Sequence, residues 1–211
     1  MDAIATPAVA SRHEMLGRPT LLRWLPLAGV GYAVLTIGGD LVIDRFPDEG
    51  TPLAQLTTYY AQHHAQVAAG GLILEVSAIF VALFGVALAL RVSRRNVLAA
   101  AVVGVGSASM CLASAYEGAT FHFLGEQGTN AALSPQALQA WHVSAAAFGT
   151  SIPLVVLVLG MALAGRALPL WLTASAVVLA LAQLTPVAFP AGMLMLLWFV
   201  AAGVSLAREN E

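Results

Sequence analysis

Apolar residues in this chain come in long blocks separated by short polar stretches. A helix needs ~20 mostly apolar residues to cross the hydrocarbon core of a bilayer. Six segments fit: Leu21–Asp44, Val67–Leu90, Val97–Phe123, Leu138–Ala164, Leu168–Val187 and Pro190–Leu206. Pro186 and Pro190 disfavour one continuous helix through the last two, which predicts a tight turn between them. Pro153 predicts a kink in the fourth span. Between the first two spans, the run from Asp48 to Pro52 reads as a turn, with Thr51 as N-cap and Pro52 as the first helical residue. Leu53, Leu56 and Tyr60 then recur at helical spacing among Gln55, Thr58, Gln62 and His63, a pattern that predicts a short amphipathic helix on the membrane surface. The expected fold is therefore all-α: a polytopic membrane protein with a bundle of six transmembrane helices plus a short amphipathic external helix. Residues 1–20 form a cytoplasmic segment, 21–207 a single membrane domain and 208–211 a tail.

Composition supports this class. The chain is 59% hydrophobic and 9% charged, whereas a soluble domain is roughly 25% charged. The net charge of −2 and the lack of any basic tract argue against nucleic acid as a partner and leave the lipid bilayer. The nine basic residues are all arginine, which together with the wealth of Ala, Val, Leu and Gly suggests a GC-rich bacterial genome. A lone cysteine, Cys111, can form neither an internal disulfide nor a cysteine metal knuckle. The polar stretch from Met1 to Pro19 resembles the start of a signal peptide, but the apolar run after it exceeds the ~7–15 residues of such a peptide, so it reads as a retained helix.

The arginines set an expected orientation. Arg12, Arg18 and Arg23 stand at the start of the first run, Arg91, Arg94 and Arg95 between the second and third, Arg166 between the fourth and fifth, and Arg208 after the sixth. The opposite loops hold only Arg45, among Asp44, Asp48 and Glu49. The positive-inside rule then puts both termini in the cytoplasm of a bacterial inner-membrane protein.

Small and polar residues recur at three- and four-residue steps in the first four spans, as expected where helices approach closely in lipid. The stripes are Gly29, Tyr32, Thr36, Asp40 and Asp44; Gly71, Glu75, Ala78, Ala82, Gly85 and Ala89; Gly104, Ser107, Cys111, Ser114, Gly118 and His122, with Glu117 at the edge; and His142, Ala146, Gly149, Pro153 and Gly160. Residues so spaced share a helix face, which predicts that Asp40, Glu75, His122 and His142 point inward. Their places in the spans gather the ionisable groups in the outer half of the bundle, with Glu75 about two turns below the surface.

Ionisable groups at membrane depth mark function by default. A carboxylic acid in an apolar pocket holds its proton near neutrality and can protonate an alkene or epoxide, or shift a double bond. Glu75 is the expected acid. Asp40, Glu117, His122 and His142 are candidates to relay or take back the proton. Tyr32, Thr36, Tyr116, Phe121, Trp141 and Gln183 are expected to line the pocket, with Tyr116, Phe121 and Trp141 stabilising a developing cation. No cofactor is expected. A metal would draw on His122, His142 and Glu117, and a haem on the two histidines, but the spacing matches no known ligand motif. The competing reading is structural: the same groups hydrogen-bond one another across helices. Function thus reads as an isomerase or cyclase acting on a lipophilic small molecule, or as a non-catalytic membrane protein such as a carrier or complex subunit. Nothing in the pattern sets the oligomeric state.

The "LPLWL" at Leu168 to Leu172, the "LTP" at Leu184 to Pro186 and the "YYAQH" at Tyr59 to His63 resemble a large family of small bacterial membrane proteins common in actinobacteria. The resemblance implies six helices and assigns no activity.

Overall fold

The computed structural model describes residues 24–43, 46–48, 50–127, 133–147, 151–165 and 168–208. All regular structure among them is helical. A 3-10 turn at Leu25–Leu27 leads into α1, Ala28–Ile43; there follow α2, Leu53–Ser93; α3, Val97–Gln127; α4, Pro135–Ala147; α5, Ser151–Leu163; α6, Leu170–Ala182; and α7, Ala188–Arg208. Four helices, counting α1 with its leading turn, are long and apolar enough to cross a membrane: Leu25–Ile43, α2, α3 and α7. Apolar stretches of α5 and α6 are shorter than a full crossing.

Three local expectations are corrected. The amphipathic surface helix is not separate: it forms the first turns of α2, a helix of 41 residues that runs roughly 60 Å at ~1.5 Å per residue. A helix satisfies its own backbone hydrogen bonds, so it need not end where polar residues replace apolar ones. Pro52, not Thr51, is the N-cap of α2, while the Thr51 N–H donates to the Asp48 carbonyl at 3.0 Å in the preceding turn. Of the segment expected as one kinked span, Leu138–Ala164, residues 148–150 lie outside the described residues, with α4 before them and α5 after. Pro190 lies in the first turn of α7 rather than in the turn before it, where its missing N–H costs no helical hydrogen bond.

Helices α1, α2, α3, α5, α6 and α7 each pack on the next, and α7 closes on α1. Neighbours run antiparallel. Gly29 faces Phe84 while Gly39 faces Gly70 and Leu74, and Gly203 of α7 abuts Pro26 beside the start of α1. Helices α4 and α5 follow α3 in one antiparallel order: Trp141 meets Phe123, Ser144 meets Tyr116, Leu157 meets Gly106 and Gly160 meets Val103. The closed ring has two unlike ends. The described arginines, Arg91, Arg94, Arg95 and Arg208, gather at one end, with Trp24 and Trp171 exposed at the starts of their helices there. The other end carries Asp48, His63, Glu126 and His142.

Apolar side chains cover the outside of the ring as well as its core; Leu41 is 75% exposed and Leu170 79%. Such a surface suits lipid rather than water. Inside, the half nearer the arginine end is filled by Phe84, Leu88, Val92, Trp198, Phe199 and Leu206, none more than 4% exposed. Trp198 does more than fill space: its Nε1–H donates to the Leu172 carbonyl at 2.8 Å, fixing α7 to α6. Trp198→Phe is expected to cost about 1–2 kcal/mol in the thermal unfolding of detergent-solubilised protein, and an unchanged melting temperature would mean the bond holds nothing.

The closest approach is between α2 and α3. Gly71 lies against the backbone of Gly118 and His122, Gly125 against Ala68 and Gly85 against Ser107. Gly71, Gly85, Ser107, Gly118 and His122 belong to the second and third stripes read from the sequence, and Ala68 and Gly125 extend them. Gly104 is an exception, with no neighbour within 4 Å.

Candidate functional site

Three helices contribute hydroxyl groups to one seam inside the ring. The Tyr32 hydroxyl of α1 lies beside the hydroxyls of Ser114 of α3 and of Thr36, one turn along its own helix. Thr36 Oγ1 donates to Ser77 Oγ of α2 at 3.5 Å, and Ser77 Oγ donates to the Leu74 carbonyl at 2.6 Å. Tyr32, Ser77 and Ser114 are buried. Packing explains the arrangement, because the Tyr32 ring lies edge-on to Phe199 at 4.9 Å and its hydroxyl is thereby aimed across the ring.

Two carboxyls flank this chain of hydroxyls. Asp40 stands one turn beyond Thr36, and Glu117 nearly one turn beyond Ser114. They stand at one level of the ring, because Gly39 beside Asp40 and Gly118 beside Glu117 both pack on residues 70–75 of α2. Glu117 is half-buried, whereas Asp40 is exposed. Among the described residues no arginine shares their end of the ring. Close acidic groups in apolar surroundings can hold one proton between them, so this constellation can both give and take a proton.

Of the residues expected from sequence, Tyr32, Thr36, Asp40 and Glu117 come together here, but the direction of Asp40 is corrected: expected to point inward, it is exposed on α1 beside Ile37 and Leu41. Ser77 was not foreseen, since a single serine in an apolar run carries no periodic signal. Ser114 was visible in its small-residue stripe but not as a member of a site. Glu75 is corrected: it is exposed on the outside of α2 near Leu72, Val76 and Ile79. Gly118 packs so tightly against the Glu75 backbone that the side chain is turned away from the ring interior. Nor does Glu75 stand apart from Glu117 in depth. Glu75 and Glu117 both lie roughly 30 Å along their helices from the arginine end, about the thickness of a hydrocarbon core. Asp40 lies about one turn from the end of α1.

The other expected residues lie away from the seam and build a cap. His142 is fully buried. Its Nδ1 faces the Tyr60 hydroxyl at 3.1 Å and its Nε2 the Asp48 carbonyl at 3.3 Å. A carbonyl only accepts, so Nε2 carries a proton and donates; Nδ1 accepts from Tyr60. Phe46 stacks on the imidazole at 4.8 Å and packs edge-on against Phe121 at 4.7 Å. Tyr59 donates to the Ile43 carbonyl at 3.2 Å, closing the end of α1. His122 Nδ1 donates to the Ala68 carbonyl at 3.0 Å, and its Nε2 lies 3.4 Å from Glu126.

Tyr116 bonds to Ser144 and Trp141 packs on Phe123 at 5.2 Å, so these aromatic groups tie α4 to α3. Gln183 ends α6 beside Gly192 of α7. Among the described residues no three His, Cys, Asp or Glu side chains converge as a metal site; His122, His142 and Glu117 are not assembled into one. Asp44, Arg45 and Glu49 of the same loop lie outside the described residues, as do Arg12, Arg18, Arg23 and Arg166.

No family model, curated protein or solved structure matches this chain.

Proposed function

We propose that this is a six-span inner-membrane protein, with both termini cytoplasmic, that carries out acid–base isomerisation of a lipophilic small molecule at the Asp40–Glu117 seam. The topology is supported by the closed ring of helices and by α4 and α5 continuing one another along α3, together long enough to make the fourth crossing. Segregation of the described arginines at one end supports the orientation.

The activity rests on one observation: two carboxyls stand at one level of the ring, next to Gly39 and Gly118, which both pack on residues 70–75 of α2, and flank a chain of hydroxyls. Glu117 takes the role first expected of Glu75. It protonates one carbon of a double bond, and Asp40 removes a proton from a neighbouring carbon. One proton enters and one leaves, so the double bond moves and the substrate's composition is unchanged. Transfer of the proton from Asp40 to Glu117 restores the site. Tyr32, rather than Tyr116, Phe121 or Trp141, is the aromatic group placed to stabilise the intermediate cation.

Such a reaction leaves a solvent hydrogen on carbon. Purified protein in liposomes of bacterial lipid extract, held in deuterated water, is expected to add deuterium to a lipophilic component at a non-exchangeable position, as read by mass spectrometry. Glu117→Gln should reduce that uptake by about 100-fold or more, the usual contribution of a general acid. Full uptake by Glu117→Gln would end the catalytic reading.

Glu75 favours a second, non-catalytic reading as a subunit of a membrane complex. A carboxyl exposed on a lipid-facing helix is costly unless another polar group meets it. Under this reading deuterium uptake is absent, and a photoreactive cross-linker at position 76 captures one defined neighbour.

A further inference from the structure

The ring carries polar groups towards one end and is packed with apolar side chains at the other. Below Tyr32, Phe199 packs edge-on against Phe84 at 5.2 Å, and Phe84 edge-on against Trp198 at 6.3 Å. Leu88, Val92 and Ala202 continue the filling towards the arginine end, each fully buried. The one hydrogen-bonding side-chain group these filling residues carry, the Trp198 N–H, is taken by the Leu172 carbonyl, so they offer water or a polar solute nothing to run along. At the other end Asp40 is exposed, with Ile37 (38% exposed) and Leu41 (75%) beside it on α1. The carboxyl thus opens beside an apolar outer surface.

We infer that the seam is a one-sided site for an amphiphile: the molecule comes from the leaflet at the carboxylate end, sets its polar group against Asp40 and Glu117, and keeps its apolar part along α1 in the bilayer. The site neither receives its substrate from the arginine end nor passes it there. This rests on the seam being the working site, but not on what reaction occurs in it. The aromatic filling keeps water from the carboxyls on one side while lipid does so on the other.

Two measurements on the full-length protein in sealed phosphatidylcholine vesicles of single orientation test this. The first is carbodiimide labelling of Glu117, read by peptide mass spectrometry. The carboxyl adds across the C=N bond and rearranges to a stable N-acylurea, with no leaving group. A lipid-soluble carbodiimide is expected to label Glu117 about tenfold faster than a water-soluble one, because the apolar reagent concentrates in the bilayer. Equal rates, or faster labelling by the water-soluble reagent, would overturn the leaflet route. The second uses Leu88→Cys in a Cys111→Ser background, with a charged, impermeant thiol reagent added to either face. No labelling from either face is expected. Labelling from either face would show a water path through the ring and overturn the one-sided site. Val81→Cys, at a second buried interior position, guards against misfolding at residue 88: labelling of both variants while the Cys111→Ser parent stays unlabelled overturns the one-sided site equally. If Glu117→Gln retained full deuterium uptake, the catalytic reading would fall while these accessibility results stood.

Discussion

Gly118→Leu is expected to destabilise the folded bundle by ~3 kcal/mol or more. A Cβ at Gly118 would meet the backbone of Glu75, with its Cα at 2.7 Å, and the Gly71 carbonyl oxygen at 2.8 Å. Both obstacles are backbone, so neither can swing aside as a flexible side chain does. The reciprocal position is as tight: a Cβ on Gly71 would lie 2.7 Å from the Gly118 carbonyl oxygen. Accommodating a leucine requires α2 and α3 to separate along their length, which also draws His122 away from Ala68 and Ser114 away from Tyr32. Overpacking of a core costs ~1–3 kcal/mol, more where backbone has to move; this helix pair is the tightest in the ring, so the upper end applies. The readout is the melting temperature and monodispersity of the solubilised protein. Gly104→Leu is the control, since no atom lies within 4 Å of the added Cβ; it should behave as wild type. A native melting temperature for Gly118→Leu would refute the close helix crossing.

His142→Ala should cost ~3–5 kcal/mol. It removes a fully buried ring, ends the stacking on Phe46, strips the partner from the Tyr60 hydroxyl and takes one of two donors from the Asp48 carbonyl, which keeps the Thr51 N–H. Tyr60→Phe loses one hydrogen bond and should cost about 1 kcal/mol. The decisive measurement is the double variant: groups that bond to each other lose less together than the sum of their separate losses. Strict additivity would mean that His142 and Tyr60 do not hold each other, and the cap would need another explanation. Limited proteolysis between Phe46 and Thr51 offers an independent check, because His142 anchors that segment through Asp48; cleavage should quicken in His142→Ala.

The seam and the cap show why a set of ionisable residues is only a starting point. Asp40, Glu75, Glu117, His122 and His142 look alike in the sequence, as polar groups near the same ends of apolar runs. His142 holds a loop, His122 bridges two helices and Glu75 faces outward. Asp40 and Glu117 are left beside the hydroxyl chain. Partner groups separate these cases, and those partners are distant in sequence: 82 positions away for the His142–Tyr60 bond, 54 for His122–Ala68.

Much of the fold was legible along the chain. Long apolar blocks dictate helices, because in lipid every backbone polar group has to be satisfied within its own segment. Positions of the arginines foretold one end of the ring, and the glycines of the second and third stripes foretold its tightest contact. Local pattern was less able to place helix ends. The change from polar to apolar near Val67 marks where α2 meets different surroundings, not where its hydrogen bonding stops, so one long helix was read as two. Tertiary structure alone decided which face of each helix meets which neighbour. Helical spacing places residues relative to one another but not relative to the helix next door. At Glu75 the facing of α2 fixed by the Gly71–Gly118 contact separates a buried acid from an exposed one. At Tyr32, packing against Phe199 makes an ordinary aromatic the centre of the seam.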